Sequence, residues 1–155
     1  MTDYYYPVLS DEINLPMYVL GVGARDKEFH FIREEGYPNH QIVYCIRGGG
    51  VLKLDGQEYP VAAGDAFYLP PHIPHEYYPS EDIWETHWIT FEGREVKPVL
   101  DYIKLDRAKV FHIHDINAVD AIFKKILYLM KTNYYYSGHQ CSAHLYQFLS
   151  SLTGW

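Results

Sequence analysis

The stretch Gly64-Asp65-Ala66-Phe67-Tyr68-Leu69-Pro70-Pro71-His72-Ile73-Pro74-His75 has the pattern of a turn, a buried strand, a corner and a second strand. Gly64-Asp65 is a typical turn pair, and the apolar run that follows it predicts a strand in a β-rich core. The prolines that come next end this strand and exclude a helix. We therefore expect the next strand to begin at His75 and to direct the imidazole into the interior of the fold.

Further strand-like segments lie on both sides of this stretch. The predicted strands are Glu28–Arg33, Gln41–Ile46, Val51–Leu54, Glu58–Val61, Ala66–Leu69, His75–Tyr78 and Trp84–Phe91. The turns between them include Gly48-Gly49-Gly50 and Asp55-Gly56, of which the second is typical of a tight hairpin. Seven short strands at this spacing predict a β-sandwich or a β-barrel.

The pattern becomes helical after residue 93. A short helix is predicted at Val96–Ile103 and a further strand near residues 110–113. Apolar residues then recur with helical spacing from Val119 to Met130 and from Leu145 to Leu152. The fold class is therefore mainly β, a barrel followed by an antiparallel pair of α-helices. The two apolar stripes either pack entirely on the protein's own barrel or form a homodimer interface, and we favour the homodimer.

Composition excludes several classes of protein. The 155 residues fit one domain, and a net charge of −7 argues against direct binding of nucleic acid, which needs a basic surface. The N-terminus lacks the features of a signal peptide, and no apolar run is long enough to cross a membrane. Two cysteines are too few for a disulfide framework, so we expect reduced thiols and a cytoplasmic location.

The opening stretch resembles the second sequence motif of the cupin superfamily. Gly64, Pro70 and His75 match that motif, whereas His72 replaces its usual glycine. The resemblance implies a small double-stranded β-barrel of the jelly-roll type. In metal-binding cupins the first motif adds two histidines and a glutamate, but here those positions hold Glu35, Tyr37 and Gln41.

His75 is thus the one remaining residue of the four metal ligands that the cupin motifs supply. A single neutral imidazole is too little for a stable metal site, which uses three or four ligands. We therefore expect no metal, no cofactor and no enzymatic activity. The alternative that stays open is a stand-alone metal-dependent cupin enzyme, such as an isomerase or a dioxygenase.

A more specific resemblance extends from Tyr44-Cys45-Ile46-Arg47-Gly48-Gly49-Gly50 through Gly64-Asp65 to Trp84-Glu85-Thr86-His87-Trp88-Ile89-Thr90-Phe91-Glu92-Gly93. These segments are similar to the N-terminal sensor domain of AraC-type transcription regulators. The resemblance implies an N-terminal arm at 1–17, an effector-binding barrel at 18–114 and dimerisation helices at 115–155. It also implies a helix-turn-helix DNA-binding domain outside this chain, with which the acidic charge and the end shortly after Leu152 agree.

The same resemblance implies a small-molecule effector, a mono- or oligosaccharide, bound inside the barrel. It places ligand-binding residues at Arg33, Tyr77 and Trp88, where an arginine donates to hydroxyls and a tryptophan offers a flat apolar face. Thr86 stands where the sugar-binding pattern has a histidine. The candidate ligand-binding residues are Arg33, Gln41, His75, Tyr77, Thr86 and Trp88.

Each candidate also has a purely structural interpretation. Arg33 could be a surface residue paired with Glu34 or Glu35, His75 a buried hydrogen-bonded imidazole, and Trp88 part of the core. If the interior is filled by tyrosine and tryptophan side chains, a third hypothesis is favoured, namely a dimerisation module without a ligand.

Overall fold

The computed structural model describes residues 3–7, 9, 11–132 and 138–153. The strands are β1 (Asp3–Tyr5), β2 (Tyr18–Arg25), β3 (Phe31–Arg33), β4 (His40–Leu54), β5 (Gln57–Ala62), β6 (Asp65–Leu69), β7 (His75–Glu92) and β8 (Lys109–His112). The helices are α1 (Val96–Tyr102), α2 (Ile116–Thr132) and α3 (Gly138–Ser150), with a 3-10 turn at Asp11–Asn14. The mainly β fold class with helices after the sheet is confirmed.

The chain forms two compact units, and the first contains Gly23–Ile89 and Arg107–His112. Its sheet is antiparallel: β4 pairs with β5 and β6, β6 with β8, and β3 with β7. The register between β3 and β7 places Arg33 opposite His75 and Phe31 opposite Tyr77. Directly opposite residues of antiparallel strands have neighbouring side chains, so this register brings candidate site residues together.

The interior of this unit is filled largely by aromatic and aliphatic side chains. The buried cluster consists of Val43, Cys45, Leu52, Val61, Phe67, Leu69, Tyr77, Trp84 and Trp88. The Tyr77 ring lies between two other large rings, since its centroid is 5.2 Å from that of Phe67 and 6.0 Å from that of Trp84. A filled interior is what the hypothesis of a dimerisation module without a ligand predicts, so any ligand would have to bind at polar residues beside this cluster.

Two strands are longer than predicted. The prediction of a turn at Gly48-Gly49-Gly50 was wrong, because β4 runs without a break from His40 to Leu54. Gly48 has a φ of +79°, and a Cβ there would overlap the carbonyl oxygen of Ile83. The glycine therefore lets two strands approach closely instead of ending one of them. In the same way, β7 joins the predicted strands His75–Tyr78 and Trp84–Phe91.

Other differences lie near the N-terminus. The predicted strand Glu28–Arg33 is reduced to β3, and β2 was not among the predicted strands. The predicted arm contains β1 and the 3-10 turn among its described residues. No described helix has the length and apolarity needed to cross a membrane.

The second unit contains Tyr4–Val22, Thr90–Asp106 and Ile113–Trp155. Its helices follow the predicted apolar stripes: α2 buries Val119, Ile122, Phe123, Ile126 and Met130, and α3 buries Cys141, Ser142, Leu145, Phe148 and Leu149. The two helices pack against each other. Ser142 donates a hydrogen bond of 2.6 Å to the backbone oxygen of Met17, which ties α3 to the segment before β2.

Candidate functional site

One nitrogen of Arg33 connects four of the six candidate residues. Nη1 of Arg33 lies 3.0 Å from Nε2 of His75, 3.3 Å from the Tyr77 hydroxyl and 3.5 Å from Oε1 of Gln41. Arg33 and His75 face each other across β3 and β7, and Tyr77 is two residues further along β7 on the same side. Gln41 comes from β4. The register of three strands therefore assembles this cluster, which we call the Arg33 site.

The hydrogen bonds of His75 define its tautomer. Nδ1 lies 2.8 Å from the backbone oxygen of Ile73, which can only accept, so Nδ1 carries the proton. Nε2 is then left with a lone pair and accepts from Arg33. Burial lowers the pKa of His75, the Ile73 carbonyl opposes that effect, and the charge of Arg33 adds to it. The imidazole is thus held neutral, as its role of acceptor requires.

Tyr77 forms the inner boundary of the site. Its ring stacks on His75 with centroids 5.8 Å apart and planes 5° from parallel, and only 1% of the residue is exposed. Burial raises the pKa of Tyr77 to about 12, with a further contribution from the charge of Glu28, whereas Arg33 acts in the opposite direction. The phenol is therefore neutral at physiological pH and accepts a hydrogen bond from Arg33.

Aromatic rings surround the Arg33 guanidinium. Its central carbon lies 4.4 Å from the ring centroid of Phe31, 5.1 Å from that of Tyr37 and 5.5 Å from that of Tyr77. Such contacts fix a cation by attraction to the ring faces. Phe31 and Tyr37 are half-buried, so this part of the site is reachable from solvent.

Thr86 belongs to a second polar cluster, beside the first. Its hydroxyl donates to Oε2 of Glu28 at 2.7 Å, and Oε1 of Glu28 accepts from Nη1 of Arg25 at 3.1 Å. The backbone N–H of Phe29 completes the set at 2.8 Å. The Glu28 side chain is fully buried, so its negative charge depends on these three donors.

Trp88 lies in the apolar cluster and is 3% exposed, which places it in the core. The guanidinium of Arg25 lies 5.5 Å from the Trp88 ring centroid and 5.6 Å from that of Phe31. Phe31 therefore contacts the guanidinium groups of both Arg25 and Arg33. The rings with exposed surface beside Arg33 are those of Phe31 and Tyr37.

Two participants, Arg25 and Glu28, were absent from the sequence-based set of candidates. Arg25 ends β2, a strand that the sequence pattern did not indicate. Glu28 was placed at the start of a predicted strand, with nothing to show that it is buried against Thr86, 58 positions later. Among the residues that the structure describes, no three His, Cys, Asp or Glu side chains are grouped so that they could hold a metal ion.

Comparison with known proteins identifies the family. The sequence profile of the AraC-like ligand-binding domain matches residues 16–149. A relative, the MmsAB operon regulatory protein of Pseudomonas aeruginosa, is 33% identical over 75 residues, which are 45% of this chain and 24% of that protein. The crystal structure of apo ToxT from Vibrio cholerae superimposes with a TM-score of 0.60 and 14% identity over 88% of this chain and 54% of that chain.

A cupin superfamily protein from Desulfitobacterium hafniense superimposes with a TM-score of 0.41 and 17% identity over 58% of this chain and 76% of the other. The present chain thus spans about a quarter of its Pseudomonas relative and about half of ToxT. The match of the profile covers most of the 155 residues. On that ground, the chain belongs to the family of AraC-like ligand-binding domains.

Proposed function

We propose that this chain is the effector-sensing domain of an AraC-type transcription regulator, and that it binds a sugar at the Arg33 site. The observation that carries the proposal is the convergence of Arg33, Gln41, His75 and Tyr77 beside the half-buried rings of Phe31 and Tyr37. A sugar needs directed polar partners for its hydroxyls and a flat apolar surface for its C–H groups. The Arg33 site offers both within one cluster.

The remaining parts of the proposal concern the whole regulator. Residues 1–17 serve as an arm, residues 18–114 bind the effector, and residues 115–155 form a homodimer. Tyr128 on α2 and Tyr146 on α3 are 65% and 54% exposed, which gives the helix pair apolar surface for a second copy. The net charge of −7 supports a division of labour in which a separate helix-turn-helix domain contacts DNA, in the cytoplasm.

Effector binding would act by shifting a population. If the sugar binds one arrangement of arm, barrel and helices more tightly than another, it stabilises that arrangement by the difference between the two binding free energies. The attached DNA-binding domains would then be held differently in the presence of effector.

Titration calorimetry against a panel of sugars tests the binding function. We expect one sugar class to bind, and we expect Arg33→Ala and Gln41→Ala to weaken that binding. Arg47→Ala is the matched control, because Arg47 is 65% exposed and its partner is Glu85, at 3.3 Å. Affinity that is unchanged in both site variants would disprove the assignment of the site.

Sedimentation analysis tests the dimer, and a monomer at all accessible concentrations would disprove it. The competing hypothesis, a metal-dependent cupin enzyme, predicts a tightly bound transition metal in the purified protein. Elemental analysis that found such a metal, together with turnover that chelation abolished, would replace our proposal by that hypothesis.

A further inference from the structure

The guanidinium of Arg33 has one edge that is occupied and one that is not. All three of its hydrogen bonds to side chains use Nη1. Arginine carries five N–H donors, and those on Nε and Nη2 point in the same direction along the other edge. Within residues 3–7, 9, 11–132 and 138–153, the Nε and Nη2 donors of Arg33 have no acceptor.

Arg33 has no ion-pair partner among the residues that the structure describes. His75, Tyr77 and Gln41 are all neutral, and no described carboxylate lies within 4.0 Å of the guanidinium. The interpretation that Arg33 pairs with Glu34 or Glu35 is therefore wrong. Arg25 shows the contrast, because it stacks on the same Phe31 ring and has the carboxylate of Glu28 at 3.1 Å.

The surroundings make this uncompensated charge significant. Arg33 is half-buried, and its partners His75 and Gln41 are 6% and 5% exposed. Charge–charge interactions are stronger in such a setting than on an open surface, because less water screens them. A partly buried cation with fixed orientation and an unused pair of parallel donors is what a planar anion requires.

We propose that the effector carries a carboxylate, which binds the Nε–Nη2 edge of Arg33 through two parallel hydrogen bonds. The inference rests on the proposed sensing function and narrows its ligand from sugars in general to sugar acids. One uncompensated positive charge matches a monocarboxylate better than a phosphate, which carries nearly two negative charges. The amide nitrogen of Gln41, which has no acceptor among the described residues, is then available to a hydroxyl of the same ligand.

Matched pairs of ligands test the inference. The probes are glucuronate against glucose and galacturonate against galactose, with lactate and glycolate as hydroxy acids that are not sugars. We expect at least one acid to bind about tenfold or more tightly than its neutral partner, because hydrogen bonds to a charged group are stronger than those between neutral groups. Titration calorimetry on the unmodified chain gives these affinities.

Variants of Arg33 separate the charge from the geometry. Arg33→Gln should abolish the preference for the acid, and Arg33→Lys, which keeps the charge but loses the paired donors, should lose most of it. Arg47→Gln is the control and should leave the preference unchanged. In the unmodified protein, the ¹⁵N resonance of the Arg33 Nε–H should shift on titration with the acid and not with the neutral sugar. Circular dichroism establishes that the variants are folded.

The outcomes distinguish this inference from the proposed function. If neutral sugars bind as tightly as the corresponding acids, the proposed carboxylate of the effector is disproved, but the proposed sugar-sensing function is not. If lactate or glycolate binds and no sugar or sugar acid does, the result supports a carboxylate on the effector and disproves the proposal that the effector is a sugar. A folded protein that binds none of these compounds, or an Arg33→Gln variant that keeps the preference for the acid, would overturn the inference.

Discussion

Nη1 of Arg33 and Nε2 of His75 lie 3.0 Å apart, and the two residues are direct partners across β3 and β7. The contact is favourable only while His75 is neutral, because a protonated imidazole would place an N–H against the guanidinium. Burial and the charge of Arg33 favour this neutral state, and the Ile73 carbonyl, which accepts from Nδ1, fixes the tautomer that leaves Nε2 as the acceptor. The geometry of the site is therefore linked to the protonation of one histidine.

The first prediction concerns stability and pH. The pKa of His75 in the folded protein lies below its ordinary value of 6.5, mainly because of burial and also because of Arg33. The unfolded chain therefore binds more protons than the folded protein at mildly acidic pH. The contribution of neutral His75 to the free energy of unfolding is for this reason complete above pH 6.5. It is lost as the pH falls through the folded-state pKa. Urea unfolding between pH 7.5 and pH 5 measures the decline.

His75→Gln is the control for that experiment, because an amide oxygen can still accept from Arg33 and does not titrate. The other histidines contribute equally to the unmodified protein and to His75→Gln, so their contribution cancels in the difference between the two unfolding free energies. A difference that does not change with pH would show that His75 titrates normally. An NMR titration of the His75 ring gives the pKa directly.

The second prediction concerns Tyr77, whose pKa of about 12 should make it one of the last tyrosines to ionise. The measurement is an alkaline titration followed by ¹³C NMR of labelled tyrosine rings. Tyr77→Phe should remove the resonance of a tyrosine that is still protonated when exposed tyrosines are ionised. The substitution also removes one acceptor of Arg33, which should cost about 1 kcal/mol of stability. Tyr102→Phe is a suitable comparison, since Tyr102 is 79% exposed. Loss of a normally titrating resonance in Tyr77→Phe would contradict the prediction.

The third prediction concerns the ion pair of Arg25 and Glu28, whose side chains are 15% and 0% exposed. Arg25→Met leaves a buried carboxylate without its cation, and we expect a loss of roughly 3–5 kcal/mol in the free energy of unfolding. Thr86→Val removes a single donor to Glu28 and should cost about 1–3 kcal/mol.

A double variant provides the critical comparison. Arg25→Met combined with Glu28→Leu removes both charges, so it should recover much of the stability that Arg25→Met loses. Chemical denaturation of Arg25→Met, of Glu28→Leu and of the double variant gives the coupling energy between the two residues. Additive losses would mean that the two residues do not stabilise each other.

Local signals predicted much of this fold. The turn at Gly64 gave β6 nearly to the residue, and the prolines that follow placed the start of β7 at His75. The signals failed where pairing with neighbouring strands outweighs local preference. Gly49 and Gly50 suggested a turn, yet they pair with Ala62 and Val61 of β5 inside a continuous strand.

The site was predictable to the extent that it depends on strand register. Alternate residues of a strand lie on the same side, so a strand that begins at His75 puts His75 and Tyr77 together, and the register with β3 brings Arg33 to them. Arg25 and Glu28 could not be found in this way, because their contacts join segments far apart in sequence. The hydrogen bond between Glu28 and Thr86 spans 58 positions, and no local pattern encodes such a distance.

The last prediction tests the close packing of Gly50 in the interior. A Cβ at Gly50 would come within 2.5 Å of three ring carbons of Trp84, a residue that is 1% exposed and packs against Tyr77. Gly50→Ala must therefore displace the indole or bend β4, and overpacking of this kind costs about 1–3 kcal/mol. At Gly49 the nearest obstacle is the carboxylate end of Glu81, a flexible side chain that can move.

Gly49→Ala is for this reason the matched control, and we expect it to cost less than Gly50→Ala in thermal or urea unfolding. The displaced indole should also change the tryptophan fluorescence of Gly50→Ala and not that of Gly49→Ala. Equal losses of stability in the two variants would indicate that the cost comes from the backbone of β4 and not from the ring of Trp84. Because Trp84 contacts Tyr77, and Tyr77 contacts Arg33, Gly50→Ala should in addition weaken ligand binding at the Arg33 site.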